Sequence, residues 1–154
     1  MDGDNKKFRG DLFASTQEMN EFMIQNWNAI VKPEDKVYHL GDVFFGSPVE
    51  AGLILKRLMG KKRLIVGNHD DLHGQRGKPL YENFQKITLW RIFKEFNMVL
   101  SHVPIHKDSF RKVDYNVHGH IHQRKSPSKE YINVCVEQTN YTPVHIEDII
   151  KRFK

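Results

Sequence analysis

Four short apolar runs, each ending abruptly in Gly, Asp, Asn or His, set the main constraint on how this chain can fold. Val37–Leu40 runs into Gly41-Asp42, and Leu64–Val66 into Gly67-Asn68-His69-Asp70. Met98–Leu100 runs into Ser101-His102, and Tyr115–Val117 into His118-Gly119-His120-Ile121-His122. Runs this short, rich in β-branched and aromatic residues, read as buried strands. Open α/β sheets bind ligands outside the carboxyl ends of their strands. Four strand ends that deliver Asp, Asn and His are therefore a ready source of mixed oxygen and nitrogen metal ligands.

Helical patterns sit between the first strands. Ser15 and Glu18 form a capping-box signature, and Met19, Phe22, Met23, Trp27 and Ile30 recur at helical spacing until Pro33. Ser47-Pro48 with Glu50 opens a second helix, which Gly60 stops. The segment from His73 to Pro79 reads as a loop. Ile87–Phe96 and Met98–Leu100 read as two strands around Asn97, and Tyr131–Glu137 as another. Tyr141–Val144 reads as one more strand, and a terminal helix runs from Ile146 to Phe153. This order predicts a mixed α/β fold, with residues 1–12 as a loop or tail and 13–154 as a single domain.

Composition narrows the class. The 154 residues are 39% hydrophobic and 28% charged, which suits an ordinary globular domain. The single cysteine, Cys135, excludes an internal disulfide and a cysteine-based zinc cage, and fits a reducing, cytoplasmic location. No apolar run approaches the ~20 residues of a membrane helix. The net charge of +5 is compatible with a phosphate-bearing partner such as a nucleotide or nucleic acid.

Each residue also has a plainer reading. Asp42 alone is a turn cap, Asn68 a left-handed turn residue and His102 a strand-end imidazole. Their company favours the ligand reading. His120 and His122, two apart, would share a strand face. His39, His118 and His145 read as structural, and Lys78, Lys107, Arg111, Lys112, Arg124 and Lys125 as a solvated face. Phe22, Trp27, Phe44, Phe45 and Trp90 read as core rather than as a base-stacking platform.

Taken together, Gly41-Asp42, Gly67-Asn68-His69-Asp70, Ser101-His102 and Gly119-His120-Ile121-His122 resemble the motif series of the calcineurin-like metallophosphoesterases, in their small bacterial and phage branch. The resemblance spans about Phe13 to Pro143. It implies a sandwich of two mixed sheets flanked by helices and hydrolysis of a phosphomono- or phosphodiester by a metal-activated water. It implies two divalent ions bridged by Asp42, one completed by Asn68, His102 and His120, the other by His122. Manganese, iron, zinc or nickel would suit these ligands. Asn68 and His69 would contact the substrate phosphate, His69 would protonate the leaving oxygen, and Asp70 would orient His69, its plainer reading being a loop cap. The family's opening strand, ending in Asp-x-His, has no counterpart in these residues. Asp2, Asp4 or a partner chain would then complete the first metal, and the open sheet edge would favour self-association or cover by Met1–Gly10. The rival expectation is a catalytically weak, truncated relative that serves as a phosphate- or partner-binding module.

Overall fold

A computed structural model describes residues 11–154, so the expectations for Met1–Gly10, including Asp2 and Asp4 as ligands, lie outside the described residues. The two capped helices form where the sequence places them. Helix α1 is Thr16–Ile30, with Ser15 Oγ accepting the Glu18 N–H and Glu18 Oε2 accepting the Ala14 N–H. Helix α2 is Pro48–Arg57, with Ser47 Oγ accepting the Glu50 N–H. The two helices are tied together by Trp27 Nε1–H to the Met59 carbonyl and by the Glu21–Arg57 ion pair.

Two sheets make up the rest. Strands β1 (Lys36–His39), β2 (Lys61–Ile65) and β3 (Lys86–Thr88) form a parallel sheet in that order. Strands β4 (Trp90–Phe93), β5 (Met98–Ser101), β6 (Tyr115–His118) and β7 (Tyr131–Asn133) form the second. There β4 runs antiparallel to β5, and the remaining pairs are parallel. The expected Ile87–Phe96 strand is therefore two strands in two sheets, with Leu89 at the crossover and a 3₁₀ turn at Lys94–Phe96. A continuous apolar run hides such a switch, because both halves are equally buried-type.

Residue alternation along β2 separates the layers. Leu64 faces the helices, in a cluster with Leu55, Leu80 and Phe84. Ile65 faces the second sheet, in a cluster with Phe93, Met98, Leu100, Val117 and Ile132 that helix α4 (Ile146–Lys151) closes through Ile149. The outer face of the second sheet is covered by Phe110 and Val113, from the stretch between β5 and β6. The fold is thus α/β, with two sheets and helices.

Three local expectations fail. His73–Pro79 is not a loop: helix α3 spans Gly74–Asn83 with Pro79 inside it. Burial of Leu80 and the packing of Pro79 against Gly52 outweigh two glycines and the N–H that proline lacks. Tyr131–Glu137 is a strand only to Asn133, and its end is a 3₁₀ turn at Val136–Gln138. Tyr141–Val144 is not a strand, because Asn140 and Tyr141 take left-handed φ values of 51° and 56°. Among the described residues no helix is long and apolar enough to cross a membrane.

Asn116 is the polar keystone of the second sheet. Fully buried, it donates through Nδ2 to the Val99 carbonyl and Ser101 Oγ, and its Oδ1 accepts the Ile105 N–H. Asn116→Ala leaves a cavity and an unpaired N–H, so it should destabilise the protein by about 2–4 kcal/mol. Chemical denaturation of both proteins checks this, and an unchanged midpoint contradicts it.

Candidate metal centre

The carboxyl ends of β1, β2, β5 and β6 meet at one pole of the molecule. Asp42 leaves β1 through Gly41, at φ +93°, where a Cβ would stand 2.6 Å from His102 Nδ1. Asp42 itself is left-handed, at φ 54°. Gly67 passes so close that a Cβ there would collide with the Asp42 carboxylate. These glycines let two turns touch.

Asp70 clamps the same two turns. Its Oδ2 accepts the N–H groups of Asp42 (2.9 Å) and Gly67 (2.8 Å), and its Oδ1 accepts that of Val43 (2.8 Å). Of the two readings of Asp70, orienting His69 or capping a loop, these hydrogen bonds match the cap. His69 is placed instead by its own backbone, whose N–H donates to Asp42 Oδ1 at 2.9 Å. Its imidazole lies 5.2 Å from the ring of Phe45.

Four of the five expected metal ligands converge. One donor atom each from Asp42, His102 and His120 lies within 4.8 Å of the others. His102 is the hub. Its Nδ1 lies 2.6 Å from the Leu40 carbonyl, an acceptor only, so Nδ1 carries the hydrogen. Its Nε2 then faces Asn68 Oδ1 at 2.9 Å, Asp42 Oδ2 at 3.2 Å and His120 Nδ1 at 3.2 Å. A single proton on Nε2 serves one of these neighbours, whereas one cation among them serves all. The residues present therefore fit a divalent metal.

The protonation balance follows the same geometry. Burial disfavours charge on His102, but the Asp42 carboxylate and the Leu40 carbonyl overcome it and hold its pKa above the ordinary value. Burial raises Asp42, yet the His102 contact and the His69 N–H bring it below the usual carboxylate range. Burial, and then the charge of His102, push His120 down against the opposing pull of the Asp42 carboxylate.

His122 stands beside this group. It does not share a strand face with His120, because β6 ends at His118 and both histidines lie in a turn, with φ of 67° and 52°. The His122 carbonyl accepts the side-chain amides of Asn133 (2.7 Å) and Gln138 (3.1 Å). Its Nδ1 lies 3.3 Å from Glu137 Oε1, on a side chain only 1% exposed. Sequence reading missed Glu137; its signal was a carboxylate at the end of an apolar alternating run. A carboxylate behind an imidazole fixes which ring nitrogen faces outward. His39, His118 and His145 serve structure: they accept the Gly41 N–H, bond Ser126, and cap α4 respectively.

Asp70→Asn puts an amide NH₂ where an oxygen now accepts backbone N–H groups. The variant should lose about 1–3 kcal/mol of stability and bind manganese more weakly, since both ligand-bearing turns loosen. Thermal melting with and without manganese tests this; a variant with unchanged metal affinity contradicts it.

No family model matches the chain. The gene 66 protein of Mycobacterium phage L5 is 28% identical over 105 residues, covering 64% of this chain and 48% of that protein. A solved structure of a protein of unknown function from Aquifex aeolicus superposes with a TM-score of 0.72 at 26% identity, covering 96% of this chain and 91% of its own. An uncharacterized protein of Methanocaldococcus jannaschii is 31% identical over 154 residues, covering 94% of this chain and 81% of that protein. With that identity over nearly its whole length, the chain belongs to the same family as the Methanocaldococcus jannaschii protein.

Proposed function

We propose that this chain is a metallophosphoesterase of the calcineurin-like type, its two sheets packed as that family's sandwich, hydrolysing a phosphate ester at the Asp42–Asn68–His102–His120 cluster. The observation that carries the reading is the crowding of acceptor atoms around His102 Nε2, which a divalent cation relieves. A cation there supplies Lewis-acid stabilisation of the charge that develops on the phosphoryl oxygens. Asp42 and His122 would serve a second ion, with Glu137 holding the His122 ring.

The chain's own groups do the remaining work. Asp42 and Asn68 present oxygens from turns that Asp70 and the glycines lock together, so little reorganisation accompanies binding. His69, with its backbone anchored on Asp42, presents its imidazole at the edge of the cluster. From there it donates a proton to the departing oxygen. Manganese analysis of the purified protein, beside an assay with bis-(p-nitrophenyl) phosphate and added manganese, tests the proposal. Protein that takes up no manganese, zinc or nickel at neutral pH overturns it.

Two further outcomes follow. Metal must displace the proton that Asp42 helps His102 to keep, so affinity should rise with pH through and above the ordinary imidazole pKa of ~6.5 and fall steadily below it. Calorimetric titration with manganese across that range reads this directly, and a flat profile contradicts it. His69→Ala should lower turnover ~100- to 10,000-fold while metal content stays within twofold of wild type. Loss of metal in that variant would move His69 from proton donor to ligand.

A further inference from the structure

Several large apolar side chains stand in solvent, among them Phe45 and Trp90, which the sequence reads as core. Phe45 is 44% exposed, Leu89 72%, Trp90 50% and Val103 40%. Single exposed apolar residues need no explanation, but Phe45 stands against His69. Phe45 lies three residues after Asp42. Leu89 and Trp90 form the crossover between the sheets: the Thr88 carbonyl accepts the Val66 N–H at 2.8 Å, just before Gly67-Asn68, and Trp90 is paired with Ser101, just before His102. Val103 follows His102, and its carbonyl accepts the Ser101 hydroxyl at 2.6 Å. Trp90 shares the face of Ile92 and Val99, the outer face of the second sheet, whereas Phe45 meets a candidate site residue.

Phe44 shows that the exposure of Phe45 is not for want of a core. It turns inward against the Leu55–Leu80 cluster, 5.5 Å beneath the Arg76 guanidinium. Phe45 turns the other way and meets the His69 imidazole at 5.2 Å, tilted by 56°. A few convergent polar groups with apolar and aromatic flanks are the usual make-up of a site for an organic ligand.

We infer that Phe45 forms an aromatic rim of the cluster for the base of a nucleoside phosphate, with its ring as the stacking face. The inference rests on the phosphoesterase reading, because the phosphate is what the cluster would hold. Every base has a π-face, so stacking of this kind selects nucleosides over sugar and alkyl phosphates without choosing among bases. Phe45, beside His69, would then meet the part of the substrate next to the leaving oxygen.

Calorimetry on the manganese-loaded full chain tests this with three probes: adenosine 5′-monophosphate, ribose 5-phosphate and inorganic phosphate. Wild type should bind the nucleotide about 5- to 100-fold more tightly than ribose 5-phosphate, the range that stacking of one base supplies. Phe45→Ala should shrink that ratio, chiefly by weakening the nucleotide. Phe45→Leu, which keeps apolar bulk without a ring face, should fall between wild type and the alanine variant. Phe45 is exposed, so melting temperatures should stay near wild type. Equal affinity of wild type for the nucleotide and ribose 5-phosphate overturns the rim while leaving the phosphoesterase reading standing. So do variants that weaken both ligands equally. Loaded protein that binds none of the three probes overturns both.

Discussion

The Asp70 carboxylate holds the site together. Three backbone N–H groups from two separate turns converge on its two oxygens. Hydrogen bonds to an ionised acceptor are among the stronger ones available to a protein. This clamp lets Gly41 and Gly67 pass at a distance that excludes any Cβ, and so brings Asp42 onto the backbone of His69. Without it, the parallel pairing of β1 and β2 would still bring two strand ends close. Their side chains would not be fixed to within the few tenths of an ångström that a metal shell requires.

The second sheet reaches the same place by different means. The parallel pair β5 and β6 brings His102 and the Gly119–His122 turn side by side, with the Gly119 N–H donating to the His102 carbonyl. Buried Asn116 braces β5 from behind, through Val99 and Ser101. The link across the sheets is a hydrogen bond from the His102 ring to the Leu40 carbonyl, at the end of β1. That one contact sets the tautomer, and therefore which ring nitrogen looks into the cluster.

The sequence made some of this legible and hid the rest for identifiable reasons. Caps at Ser15 and Ser47 announce their helices because the signal is local. Asp42, Asn68, His102 and His120 announce themselves because each follows a short apolar strand, and strand ends in such sheets converge. Helix α3 was invisible, since its two glycines and proline argue against it while Leu80, buried among residues distant in sequence, decides for it. The sequence left Asp70 open between a partner for the neighbouring imidazole and a loop cap, because backbone N–H groups carry no letter in a sequence. The outward turn of Phe45 and Trp90 was hidden likewise: an aromatic residue beside a strand reads as core until its neighbours are known.

Backbone strain adds a last strand to the argument. Asp42, His120 and His122 all hold left-handed φ values, which cost non-glycine residues about 1–3 kcal/mol each. Such conformations persist only where the surroundings enforce them. Here the enforcing contacts are on the page: Asp70 on the Asp42 N–H, and Asn133 and Gln138 on the His122 carbonyl. None of these bonds enlarges the core, and each fixes the direction of a side chain at the pole where the strands end. A fold that only had to be stable would relax those turns. Two of its candidate ligands, Asp42 and His122, are held against local preference by side-chain hydrogen bonds, which is the rigidity that the proposed metal site would need.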